Sequence, residues 1–303
     1  MTTTLVKGLA VAAAAGAMTV GTGAIAQPAN VFVGNEGEHP ESITSARDGT
    51  LFIGLMGQSA VYRAAPGADT AEPFITDGLQ TVVGVFAHGG TLWVCSSSGF
   101  GEEGPTFANS YDIETGDLTG SYEFPGGGFC NDFAVGRDGS VYVSDTTGAR
   151  ILVLRPGASE LEVFHEDADV LAGVDGLGIL DGELIANSVT TNRLFFIEID
   201  DSYNFRGITE LALSQPVEGP DGMRTLDTDD GLLLVEGNRL VRVSVGFSDG
   251  TADIEVIEEG FEGATAVTQV GDTAYVTEAK LDYLFNPDLG DPGEFNAIAV
   301  PLP

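Results

Sequence analysis

A short unit recurs six times along the chain, and its spacing restricts the fold more than any other feature. Each copy is a glycine-bearing turn followed by a run of apolar strand residues. The copies are Asp48-Gly49-Thr50-Leu51-Phe52-Ile53-Gly54, Gly89-Gly90-Thr91-Leu92-Trp93-Val94-Cys95, Asp138-Gly139-Ser140-Val141-Tyr142-Val143-Ser144, Asp181-Gly182-Glu183-Leu184-Ile185-Ala186-Asn187, Asp230-Gly231-Leu232-Leu233-Leu234-Val235-Glu236 and Gly271-Asp272-Thr273-Ala274-Tyr275-Val276-Thr277. A further strand follows each, as in Ala60-Val61-Tyr62-Arg63 and Arg239-Leu240-Val241-Arg242-Val243, and a shorter apolar segment precedes each. Three to four strands per unit, at a period of about 45 residues, is the pattern of a propeller blade. A TIM barrel or doubly wound fold would need long helical periodicity between strands, which the chain lacks. The expectation is an all-β chain: one six-bladed β-propeller over residues 27–303.

Residues 1–26 read as a signal peptide, with a retained N-terminal anchor as the alternative because the n-region holds a single Lys7. Lys7 supplies the positive charge, Leu9–Ile25 is apolar and small, and Ala24-Ile25-Ala26 forms a small-x-small cleavage pattern before Gln27. The mature protein is therefore expected in a periplasm or outside the cell, as a monomer, with no membrane insertion after cleavage. Export permits a Cys95–Cys130 disulfide, whose formation the sequence leaves open.

Acidic residues outnumber basic ones 46 to 12, for a formal charge of −34. Such a surface repels phosphate backbones and anionic headgroups, which excludes nucleic acid and membrane surfaces as partners. Most of this charge reads as a solubility adaptation to salt, so a specific cation site has to be argued from position.

The segments that enter each unit supply that argument. They are Pro40-Glu41-Ser42-Ile43, Val82-Val83-Gly84-Val85, Cys130-Asn131-Asp132-Phe133, Val174-Asp175-Gly176-Leu177, Pro220-Asp221-Gly222-Met223 and Ala264-Thr265-Ala266-Val267. Their second positions hold Glu41, Val83, Asn131, Asp175, Asp221 and Thr265, at successive gaps of 42, 48, 44, 46 and 44 residues. Entering strands line the channel of a propeller, so these positions converge on its axis at one depth. Three carboxylates facing one another, with no Lys or Arg in the ring, would repel strongly. One divalent cation relieves that repulsion. Oxygen ligands from Glu41, Asn131, Asp175 and Asp221 suit Ca²⁺ best, and Mg²⁺ or Mn²⁺ would also accept them. Zn²⁺ suits the set least, because no His or Cys falls on the ring. Any single Asp-Gly is more simply a turn former; four oxygen-bearing side chains in register point to metal.

These motifs resemble the gluconolactonase/regucalcin (senescence marker protein) family of six-bladed propellers, related to diisopropylfluorophosphatase and paraoxonase. The resemblance runs from about Glu41 to Lys280, through Pro40-Glu41, Cys130-Asn131-Asp132, Asp175-Gly176-Leu177 and Pro220-Asp221-Gly222-Met223. It implies one catalytic divalent metal, usually calcium, and hydrolysis of lactones or related esters. It implies Glu41, Asp175 and Asp221 as direct ligands, with Asn131 on metal or substrate. The chain departs from the family in carrying Asp175 where Asn is common. It also has Phe129 where the sugar-lactone enzymes place Arg, and Arg224 where phosphofluoridate-type relatives carry an acidic ligand of a second calcium.

On this reading a cation polarises the lactone carbonyl while a carboxylate activates water. Asp221 is the first candidate base and Asp132 the second. Strand alternation turns Asp132 away from the channel, which makes a hydrogen bonder between blades its competing role. Substrate contacts are expected from Asn131, Arg224 and the rim, at Asn187 and Glu236 among Met56-Gly57-Gln58, Ser96-Ser97-Ser98, Asp145-Thr146-Thr147, Asn187-Ser188, Glu236-Gly237-Asn238 and Glu278-Ala279-Lys280. His39, two residues before Glu41, reads as an exposed loop histidine, with an edge of the pocket as its other reading. Gly99-Phe100-Gly101-Glu102-Glu103-Gly104 fits a dinucleotide fingerprint in letters only, because no helix follows and its two glutamates would repel a pyrophosphate. No G-x-S-x-G elbow is present. The alternative function is a noncatalytic ligand-binding propeller with a structural axial metal.

Overall fold

The computed structural model describes residue 1, residues 29–35 and residues 37–303, so the expected signal peptide lies, Met1 aside, outside the described residues. The described chain forms six antiparallel sheets, each a blade whose first strand is innermost. The inner strands are Pro40–Ser45, Thr81–His88, Cys130–Val135, Val174–Leu180, Pro220–Thr225 and Ala264–Val270. Blades 1 to 4 are four-stranded meanders. Blade 5 gains a fifth strand, where Ala212–Leu213 runs parallel along the outer edge of Thr251–Glu259. Blade 6 takes its outermost strand from the other end of the chain: Val31–Gly34 pairs with Phe295–Pro301, Val31 opposite Ala297. Opening the ring there means breaking a strand ladder, because the two ends share one sheet.

The recurring Asp-Gly turns work by two local devices. Asp48 accepts the Thr50 N–H through Oδ1 at 2.9 Å, and Asp138 accepts the Ser140 N–H at 3.0 Å. The following Gly49 and Gly139 hold φ of 89° and 86°, where a side chain would be strained.

Apolar packing explains the runs that read as strands. Six buried clusters lie between neighbouring blades, one at each of the six boundaries. Second strands such as Leu51–Leu55 and Val141–Asp145 are buried along their whole length, because both faces meet another blade. Outer strands such as Leu118–Glu123 and Thr251–Glu259 are largely exposed and carry the charge. Each fully buried Leu, Ile, Val or Phe contributes about 1.5–3 kcal/mol relative to exposure. At the blade 2–blade 3 boundary the packing is also covalent. Cys95 and Cys130, 5.3 Å apart at Cα, form the disulfide that the sequence permits. Over a separation of 35 residues such a link contributes about 3–4 kcal/mol on the chain-entropy account.

Candidate functional site

Every inner strand breaks register at the position that lines up in the sequence. In blade 1, Pro40 pairs with Leu55 and Ser42 with Gly54, which leaves Glu41 as the extra residue. In blade 6 Thr265 is extra in the same way. In the other four blades two residues face one: Val83-Gly84, Asn131-Asp132, Asp175-Gly176 and Asp221-Gly222 lie opposite Cys95, Ser144, Asn187 and Val235. A bulge bends its strand and re-aims the side chain. Six bulges at one depth therefore gather the ring. Glycines after the ring position let neighbouring inner strands close up. A Cβ on Gly176 would lie 2.5 Å from the Asp221 carbonyl oxygen, and one on Gly222 2.6 Å from that of Thr265.

The polar ring residues meet one another. Asn131 Nδ2 donates to Asp175 Oδ2 at 2.8 Å and to Thr146 Oγ1 at 3.2 Å. Asp175 and Asp221 lie near enough on the axis for each carboxyl to bear on the other's titration. Burial pushes the Asp175 carboxyl well above the usual range, and the charges of Asp221 and Asp132 push it further. Burial raises Glu41 in the same way, with Asp175 and Asp132 adding and Arg224 opposing. Asp221, the partly exposed member, is raised by burial and by Glu41. Asp175 Oδ1 is buried without a partner.

Asp132 takes the second of its two expected roles, a hydrogen bonder between blades. With two residues opposite Ser144, the alternation is lost, and Asp132 is buried against Arg224. Its two oxygens accept Arg224 Nη1 at 2.9 and 2.8 Å, and Oδ2 also accepts the Leu177 N–H of blade 4 at 2.9 Å. Arg224, expected to touch substrate, is only 7% exposed and reaches from blade 5 to blades 2 and 3. Its Nη2 donates to the Val85 carbonyl at 3.0 Å, and the guanidinium lies over Phe86. Arg224 is thus the countercharge that the ring itself lacks. A signal for it existed, because it is the only Lys or Arg in the six inner strands.

Four carboxyls and one guanidinium leave the cluster short of positive charge. In kind, the donors fit a hard divalent cation: carboxylate and carboxamide oxygens, one of them buried and unpartnered. In arrangement they are drawn into one another. Among the described residues no three His, Cys, Asp or Glu side chains converge to hold a metal ion.

The rim residues mostly serve the fold. Asn187 Oδ1 accepts the Gly176 N–H at 3.2 Å and Nδ2 donates to the Asp221 carbonyl at 2.6 Å, which staples its own bulge to the next blade. Glu236 accepts the Glu218 N–H at 2.8 Å and pairs with Arg239. Ser96 and Asp145 latch their blades alike, accepting the N–H groups of Gln80 and Phe129 at 2.9 and 2.8 Å, and Glu278 accepts that of Glu262 at 2.7 Å. Asn187 and Glu236, both almost wholly buried, are therefore not presented to a ligand as expected. His39 is likewise not an exposed loop residue. It sits at φ 44°, buried edge-on against Phe295, with Nδ1 hydrogen-bonded to the Ala279 carbonyl at 2.8 Å.

Two long connections remain on this face. Residues 98–106 in blade 2 and 279–294 in blade 6 stand where the other blades turn within a few residues. Nothing in the sequence set these connections apart as walls of a site.

No protein-family model matches the chain, and no curated protein matches its sequence. Solved structures do. The major allergen Mala s 1 of Malassezia sympodialis superposes with a TM-score of 0.68 at 14% identity, over 89% of this chain and 95% of that one. A luciferin-regenerating enzyme gives 0.62 at 14% identity, over 91% and 94%. A catalytically inactive virginiamycin B lyase of Staphylococcus aureus with quinupristin gives 0.61 at 15% identity, over 89% and 82%. Likeness at such identities shows architecture alone: the chain is an all-β, six-bladed β-propeller.

Proposed function

We propose that the axial ring is the catalytic centre of an exported, divalent-metal-dependent hydrolase of gluconolactonase/regucalcin type, which opens lactones or related esters. The observation that carries this reading is the buried surplus of carboxyls on the axis. Such a cluster is costly unless a function keeps it, and a cation offsets its charge. Glu41, Asn131, Asp175 and Asp221 are the residues that would hold the ion, with calcium expected. Bound there, a divalent cation acts as a Lewis acid on a carbonyl oxygen.

The chain's own residues do the rest. Asp221, the partly exposed carboxyl, is the group to accept a proton from water. The water oxygen joins the carbonyl carbon, the acyl C–O bond breaks, and the leaving alkoxide takes up a proton. One water is added in sum, and the hydroxy acid releases a proton as it ionises. Asp132 is the weaker candidate base, because both its oxygens are engaged by Arg224 and Leu177. The Asp132–Arg224 pair instead anchors the ring from blades 3 and 5.

A second reading is a noncatalytic binding propeller. It is favoured by the direct bond from Asn131 to Asp175, which already ties blades 3 and 4 together within the ring. pH-stat hydrolysis of a lactone panel by residues 27–303 separates the two, run as purified, after chelation and after calcium return. Chelator-sensitive turnover restored by calcium supports the hydrolase. No turnover on sugar, alkyl or aryl lactones rejects it in favour of the binding propeller.

A further inference from the structure

The exposed large apolar side chains of the described residues fall into two groups, Met1 aside. Leu118, Val163 and Val256 stand singly on outer strands, where an isolated apolar residue needs no explanation. Phe100, Phe285 and Leu289 are the others, at 61%, 63% and 53% exposure, and all three belong to the long connections on the face of the ring. Leu289 lines a cleft that also contains Thr265, the ring residue of blade 6. Phe100 lies edge-on over Phe129, two residues before the ring residue Asn131. Phe100 and Leu289 therefore stand beside ring segments of blades 3 and 6.

The polar surface around it is engaged elsewhere. Ser96, Asp145, Asn187, Glu236 and Glu278 are bonded to backbone within or between blades. Lys280, which shares the cleft of Leu289, donates to the carbonyls of Pro292 and Glu294 and pairs with Glu262. On blades 2 to 5 few of these groups are left to replace the water around a sugar's hydroxyls, whereas Glu262, Asp282 and Tyr283 line the Leu289 cleft. Glu102 and Glu103, on the same connection as Phe100, disfavour an anionic ligand.

From this placement we infer that the site takes a neutral lactone or ester with an apolar alkyl or aryl substituent, seated on Phe100, Phe285 and Leu289, and not a polyhydroxylated sugar lactone. This names the substrate class for the function proposed above and rests on it. The test compares δ-decalactone, γ-butyrolactone and D-glucono-δ-lactone, with calcium, on the wild type, on Phe100→Ser with Leu289→Ser, and on Val256→Ser as an outer-strand control. The wild type should favour decalactone over butyrolactone in kcat/KM by about tenfold or more, the scale of discrimination that a few methylenes give. The double variant should lose most of that ratio, and Val256→Ser should keep it.

Calorimetric binding of 2-heptylcyclohexanone, a carbonyl compound that cannot be hydrolysed, against unsubstituted cyclohexanone supplies a readout besides turnover. Tighter binding of the heptyl compound that is lost in the double variant supports the apolar seat even if no lactone is opened, an outcome that would reject only the hydrolase. Equal binding of the two ketones, a preference for the sugar lactone, or a ratio unchanged in the double variant overturns the inference.

Discussion

The same residue type behaves in opposite ways at the axis and at the rim of this propeller. Asp112, Asp167 and Asp200 sit at partly exposed turns, where backbone N–H groups hold their carboxyls below the usual range. Asp175, Asp221 and Glu41 sit on the axis, where burial and one another's charge hold them well above it. The turn aspartates are acids that the fold uses, each offering its charge to donors that a turn leaves free. The axial acids are ones that the fold tolerates, because their only nearby cation already belongs to Asp132. Position, and not the total of −34, separates a solvated charge from a poised one.

The sharpest way to break this comparison is to remove the axial cation. Arg224→Met should destabilise the chain by about 3–5 kcal/mol, since it strands Asp132 uncompensated, and the double variant with Asp132→Asn should recover much of the loss. Urea unfolding checks both. A cost for Arg224→Met below about 1 kcal/mol would mean the pair is solvated like a surface bridge.

Next in size, Glu41→Gln or Asp221→Asn should weaken calcium affinity at least about 100-fold and abolish turnover, read by calorimetry and pH-stat. Unchanged metal affinity in both would sink the ring as a metal centre.

Asp175→Asn should act in the other direction on the metal-free protein, raising stability by on the order of 1 kcal/mol as one of the facing charges disappears. A pH series sharpens the point. An acid whose folded pKa lies above its unfolded one binds its proton more tightly when folded. Its stabilising effect is complete below the unfolded pKa and is lost as pH rises toward the folded value. Metal-free protein should therefore lose stability from about pH 5 upward, and calcium or Asp175→Asn should flatten that slope. The turn aspartates contribute oppositely, with stability present above their unfolded pKa and lost as pH falls through the folded one.

Smallest of all, Asp112→Asn should produce a slight loss of stability that calcium does not alter. A calcium-dependent effect there would erase the distinction between the two populations.

Much of this was legible in the chain, and the reason is repetition. Glu41, Asn131, Asp175 and Asp221 could be lined up because each occupies the same place in a unit that occurs six times. Asp132 could be read as a hydrogen bonder between blades but its partners could not, because every inner strand carries a bulge where the ring lies and alternation assumes an unbroken ladder. Asn187 and Glu236 read as rim contacts by position, yet their atoms are spent on latching blades, which only partners distant in sequence reveal. The reach of Arg224 across the channel is of the same kind: its partner Asp132 lies 92 positions away.

What the amino-acid sequence determined by itself was periodic and local: six blades, their turns, the depth of the ring and the surplus of acid on it. Turn chemistry and strand pattern act over a few residues, so they can be read without a partner. Tertiary structure decided the rest: the closure of blade 6 by Val31–Gly34, the Cys95–Cys130 link and the Asp132–Arg224 pair. Each of these joins segments far apart in the chain, and whether two such groups meet is settled by how the blades pack.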